Sequence, residues 1–217
     1  MVSIEEYLES TESATKKLFE GVQEFLSILY EVETPVFVGS YARDNGFEER
    51  YSNWAEENED KIRAKLVSQE RYIDEIFAQS TLCGAILQIA AMGIKKYSRN
   101  ILISEECSAI PGIKNVKKYC VGRKVRNLPI GLIIYAGRNQ YNHLDDGSLR
   151  EPSSTIFETI ARVGPSKFVK EPYLDPCFDI SNPALVNYAS NITALIGWGN
   201  YEAYRADMVA MLSQEET

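Results

Sequence analysis

His143 is the only histidine in the 217 residues, and it closes the hexapeptide Arg138-Asn139-Gln140-Tyr141-Asn142-His143 near the end of a strongly apolar stretch. Imidazole is the one side chain whose ordinary pKa lies near neutrality, while guanidinium offers a permanent charge with forked donors suited to a phosphate. On a helix advancing about 100° per residue, Asn139 and His143 share a face one turn apart, as do Arg138 and Asn142, while Arg138 and His143 diverge by about 140°. A cleft along the helix edge brings all four to one ligand. The chemistry implied is proton transfer beside a bound anion, with Asn139 orienting the imidazole or a substrate oxygen.

The elements that must position these residues read as helices. Apolar residues recur at three- and four-residue steps over 4–32 (Leu8, Leu18, Val22, Phe25, Leu26, Leu29), and Pro35 closes that run. Residues 47–78 give a second, charged helix with Trp54, Ile62, Leu66, Ile73 and Phe77 as candidate buried positions. Residues 81–96 are apolar on nearly all sides, the pattern of a helix in the middle of a bundle. Residues 98–126 carry a turn signal at Pro111-Gly112 and a basic run, Lys114 to Arg126. Asn127 is expected to cap the motif helix, with Pro129 in its first turn and Asp145-Asp146-Gly147 ending it. A short helix over 156–163, a proline-punctuated loop over 164–182 and a last helical region over 183–212, with a kink at Gly197-Trp198-Gly199, complete the chain. Five to six helices, little strand and no internal repeat predict an all-α helical bundle forming a single domain over 1–217. Its core lies at about 47–163, flanked by an N-terminal helix over 1–35 and a C-terminal one over 183–213.

Composition narrows the function classes. A 24.5 kDa chain with 45% hydrophobic residues can bury a sizeable core. The net charge of −8 argues against general nucleic-acid binding, yet its distribution is uneven. Residues 1–75 hold 18 acidic against 8 basic side chains, a net of −10, whereas residues 108–150 hold 8 basic against 2 acidic, a net of +6. The basic surplus thus lies in the segment leading to His143, where Lys117, Lys118, Arg123 and Lys124, with Asn142 on the motif itself, are candidate substrate-binding residues. Tyr119 and Tyr135 are candidate base-stacking partners. The four cysteines are too widely spaced for a zinc pair, so neither a metal site nor a cofactor is expected. The longest apolar run, Leu82 to Ile94, falls short of the roughly 18–20 residues that span a bilayer, and the first residues lack the pattern of a signal peptide. The expectation is a cytoplasmic protein with no membrane contact.

Arg138-Asn139-x-x-x-His143, on a helix following an apolar run, resembles the signature of the HEPN family (higher eukaryote and prokaryote nucleotide-binding domains), an all-α bundle marked by Arg, four to six residues, then His. The resemblance covers the hexapeptide, its helical setting and the bundle class. It implies Arg138 and His143 as catalytic and Asn139 as supporting, in a metal-independent endoribonuclease of toxin or defence type. A homodimer, an RNA substrate and a cognate antitoxin are the implied partners. Cleavage by the RNA's own 2′-OH needs a base, an acid and a cation at the phosphorane, and one histidine per chain supplies both proton transfers only when two copies face each other. The alternative is a non-catalytic helical interaction or nucleotide-binding module in which Arg138 and His143 cap and pack the helix. A second stretch, Val36 to Arg43, resembles the strand and Gly-Ser turn of minimal nucleotidyltransferases. It is followed by no Asp-x-Asp pair, so a loop is expected there.

Overall fold

Apolar spacing of 3.6 residues builds a mostly helical chain, as expected. The computed structural model describes residues 3–40, 46–146, 148–164, 171–182 and 185–213, and 64% of the described residues are helical. Among the described residues the order is α1 (Ile4–Ser27), α2 (Phe47–Glu57), α3 (Glu59–Tyr97), α4 (Glu105–Ser108), a 3-10 helix (Ile113–Tyr119), β1 (Lys124–Val125), β2 (Leu128–Pro129), α5 (Ile130–Asn142), α6 (Ser153–Ala161), β3 (Arg162–Val163), β4 (Tyr173–Leu174), α7 (Ala189–Leu195) and α8 (Tyr201–Leu212). That is nine helical segments rather than five or six, because the expected last helix is divided and residues 98–126 contribute two short turns of their own.

The chain divides into two compact units, one of Gly21–Gln79 and one of Ser80–Thr217 with the residues up to Glu20. In the smaller unit, α1 ends at Ser27 well ahead of Pro35, and its last carbonyls are taken from the side by α3: Ser68 Oγ donates to Ile28 O at 2.5 Å and Lys65 Nζ donates to Leu29 O. Phe37, Phe47, Tyr51 and Trp54 form an aromatic cluster with ring centroids 5.4–6.3 Å apart. The face of α3 carrying Lys65, Ser68 and Tyr72 turns inward. Leu66, Ile73 and Phe77, expected to be buried, are 55%, 63% and 61% exposed. Residues 35–40 form no strand, in line with the expected loop, and Tyr41 to Asn45, including Arg43, lie outside the described residues.

The boundary expected near residue 80 falls instead at Asn58, which closes α2 by donating from Nδ2 to Trp54 O at 2.8 Å, so α3 runs unbroken for 39 residues. By length and composition α3 meets the criterion for crossing a membrane, with a window of mean hydropathy 1.5. That corrects the shorter estimate from Leu82–Ile94, because the charge-free stretch continues backward through Thr81, Ser80 and Gln79. Half of that window is buried inside the protein.

In the larger unit α5 is the central element, packed against α6, α7 and the 3-10 helix. Leu132, Ile133 and Ile134 are fully buried, as are Ile86, Leu87 and Ile94 of α3, Ile156, Phe157 and Ile160 of α6, and Ile192 of α7. Two glycines allow this approach. A Cβ on Gly84 would stand 2.3 Å from the Tyr141 ring, and one on Gly131 would stand 2.4 Å from the carbonyl oxygen of Tyr119.

The start of α5 differs from the expected Asn127 cap. Asn127 (φ 66) and Arg126 (φ 48) form the two-residue turn of a β1–β2 hairpin, with Val125 paired to Leu128 and Lys124 to Pro129; two successive positive φ values suit the right-handed twist of a tight hairpin. Backbone carbonyls do the capping. The orphan N–H groups of Ile130 and Gly131 donate to Arg123 O (2.9 Å) and Val121 O (3.1 Å). A second hairpin, β3–β4, follows α6 where continuing helix was expected; residues 165–170 of the loop between its strands lie outside the described residues. The last helical region begins at Ala189 and breaks at Gly197 (φ 71), beside buried Trp198, whose Nε1 donates to Asp207 at 2.8 Å; Pro183 lies outside the described residues.

Candidate functional site

The motif residues occupy the last turns of α5. Arg138 and Asn139 are half-buried, while Asn142 and His143 are exposed. The guanidinium is held on two sides: Nε donates to Gln88 Oε1 at 2.7 Å and Nη1 to Asn139 Oδ1 at 3.0 Å. Asn139 in turn donates from Nδ2 to Ser153 Oγ at 3.1 Å, and Asn142 Nδ2 reaches the same Gln88 oxygen at 3.2 Å. This chain of amides and hydroxyl pre-orients Arg138 with no carboxylate partner among the described residues, an arrangement suited to an anionic ligand.

His143 terminates α5, and its Nδ1 lies 2.8 Å from Asp146 Oδ2 in the following turn. A neutral imidazole donating through Nδ1 carries its lone pair on Nε2, the nitrogen that then accepts a proton. The carboxylate fixes the ring rather than consuming that nitrogen.

Among the described residues, two concavities are lined by Asn139 of α5, and a third, about 500 Å³, is lined by Gln140, His143, Asp146, Ile180 and Leu185. The larger of the first two, about 610 Å³, is lined by Ala91, Met92 and Lys95 of α3, residues 114–119, Tyr135, Arg138 and Asn139. The smaller, about 380 Å³, is lined by Tyr135, Asn139, His143, Asp146, residues 148–151 and Ser153. Arg138 and His143 therefore do not share a groove. They line adjoining ones, and Tyr135 and Asn139 belong to both.

Of the expected substrate-binding lysines, Lys117 and Lys118 line the larger groove together with Lys114 and Lys95. The end of α3 fixes that bank: Ser98 Oγ donates to Lys118 O (2.8 Å), Asn100 Nδ2 to Lys117 O (2.7 Å), and the Tyr119 hydroxyl to Ala91 O (3.1 Å). Burial pushes the Tyr119 phenol up from its ordinary pKa, against an opposing pull from Arg138. Arg123 and Lys124 stand elsewhere. Arg123 binds Asp207 through Nε (3.0 Å) and Nη2 (2.9 Å), and Lys124 pairs with Glu106 at 2.7 Å, holding that exposed carboxyl down at about 2. Neither lines the groove. Asn142 meets Gln88 and lines neither groove.

Gln88 and Ser153 are the residues sequence reasoning missed. The one available signal for Gln88 was a lone amide interrupting an apolar helix; nothing in the sequence marked Ser153. Among the described residues no group of three or more His, Cys, Asp or Glu is arranged to hold a metal ion. Cys83 and Cys107 are buried, and all four cysteines are free thiols. No family model, no curated protein and no solved structure matches this chain.

Proposed function

We propose that this chain is a HEPN-like protein that cleaves RNA without a metal, with Arg138 at the phosphate, His143 as the proton-transfer group and Asn139 in support. One observation carries the reading: a basic groove containing Arg138, with no carboxylate among the described residues that line it, shares Tyr135 and Asn139 with a groove lined by the chain's single imidazole. His143 Nε2 takes the proton of a ribose 2′-OH, the 2′-oxygen bonds to phosphorus, the P–O5′ bond breaks, and a protonated imidazole from a second copy gives its proton to O5′. The products are a 2′,3′-cyclic phosphate and a 5′-OH. Arg138 stabilises the extra negative charge of the phosphorane. A homodimer and, for a toxin, a restraining antitoxin belong to the same proposal.

A second reading draws on the same geometry. Arg138 is already bound to Gln88 and Asn139, and His143 is engaged by Asp146, as in a non-catalytic interaction or nucleotide-binding module whose motif only stabilises the end of α5. Arg138→Ala and His143→Ala decide between them. The ribonuclease reading expects each to abolish RNA cleavage, and growth toxicity on expression, with the thermal melt unchanged. An inactive wild type and equally lowered melts in both variants would support the structural reading.

A further inference from the structure

We infer that the groove beside Arg138 is a track for single-stranded RNA, in which one unpaired base lies against Tyr135 and Met92 while neighbouring phosphates meet Lys114 and Lys117. For its ligand this rests on the ribonuclease reading; it extends that reading to strandedness and binding register. The first support is charge. In a chain of net charge −8, the described residues lining this groove include four lysines and Arg138 and no carboxylate. Such segregation attracts a polyanion.

The second support is the apolar surface between those cations. Met92 is 55% exposed although Ala91 and Ile94 beside it are buried, and Tyr135 is half-buried with its ring centroid 4.9 Å from that of Tyr119. Duplex RNA offers phosphates to lysines but keeps its bases stacked inside; an unpaired base has a face to lay on a phenol ring and a thioether. The third support is continuity. Tyr135 lines both grooves, so a strand with its base at Tyr135 continues past Asn139 to His143, which brings an adjacent part of its backbone to the imidazole.

Fluorescence anisotropy with the cleavage-silent His143→Ala protein tests this, using a labelled single-stranded RNA of about 12 nucleotides, its duplex, and UMP as competitor. The single strand is expected to bind at least about tenfold tighter than the duplex and to resist displacement by UMP at equal concentration. Tyr135→Ala is expected to weaken it about tenfold, and Met92→Ser, at an exposed position, to weaken it in the same direction if loss of Tyr135 disturbs packing. Lys114→Ala with Lys117→Ala is expected to lower affinity and flatten the logarithmic salt slope by about 1.4. Duplex binding as tight as single-strand binding, equal displacement by UMP, or an unchanged salt slope in the lysine variant would each overturn the track. The two proposals fail separately: single-strand binding with no cleavage by wild type sinks only the ribonuclease reading, and cleavage with equal duplex affinity sinks only the track.

Discussion

Gln88 Oε1 receives both Arg138 Nε and Asn142 Nδ2, so a single amide on α3 sets the orientation of two residues of the motif on α5. A hydrogen bond to a charged group contributes about 1.5–3 kcal/mol, and here it holds the guanidinium in place. If the chain is the proposed ribonuclease, Gln88→Leu should reduce single-turnover cleavage by about tenfold or more with little change in melting temperature, whereas Gln88→Glu, which keeps the acceptor, should retain more activity. Equal loss in both would point to packing as the role of Gln88. The hexapeptide itself was legible because a lone histidine five residues after an arginine stands out in any chain. Gln88 was not, since it lies 50 residues from Arg138 and its partner is chosen by helix packing rather than by spacing.

At the scale of elements, α5 was readable from its apolar run, but its first turn was not. The strands beside it are two residues long, too short to show alternation, and their turn is Arg126-Asn127 rather than a glycine-containing pair. That hairpin turn is anchored by Arg126, which donates to Ile160 O at the end of α6, reaches Asp175 Oδ2 at 2.6 Å and lies 4.9 Å from the Phe178 ring centroid. Burial pushes the Asp175 carboxyl up, but hydrogen bonds from Arg126 and the Cys177 amide outweigh it and hold the group below its ordinary 3.8. A lowered carboxyl stabilises the fold above its unfolded-state pKa and loses that contribution as pH falls through the native value. Asp175→Asn should accordingly destabilise the protein at neutral pH and differ less from wild type as the pH falls below the ordinary carboxylate range, as read by urea melts across that range. Gly131→Ala is expected to cost about 1–3 kcal/mol, because the added methyl meets the Tyr119 carbonyl rather than a movable side chain. A similar melt for Gly131→Ala and wild type would contradict this seating of α5.

For the whole molecule, the all-α class followed from periodicity, and the uneven charge along the chain gave the direction in which to look for a site. Neither contained the break at Asn58 or the exposed face of Leu66, Ile73 and Phe77, since both depend on which side of α3 meets its neighbours. The proposed ribonuclease mechanism adds a requirement at this scale. One imidazole per chain does not readily serve as base and acid at once, so the proposal pairs two copies, and light scattering at micromolar concentration is expected to give twice the 24.5 kDa chain mass. A strict monomer that still cleaves RNA would remove the second imidazole from the scheme. The proposed step transfers a 2′-OH proton to His143 with Arg138 at the phosphate, and the ends left on the RNA are its plainest signature. Mass spectrometry of a single-stranded RNA incubated in EDTA should find 2′,3′-cyclic phosphate and 5′-OH ends with the wild type and neither with His143→Ala; intact RNA with wild type, or 3′-OH and 5′-phosphate ends, would contradict it.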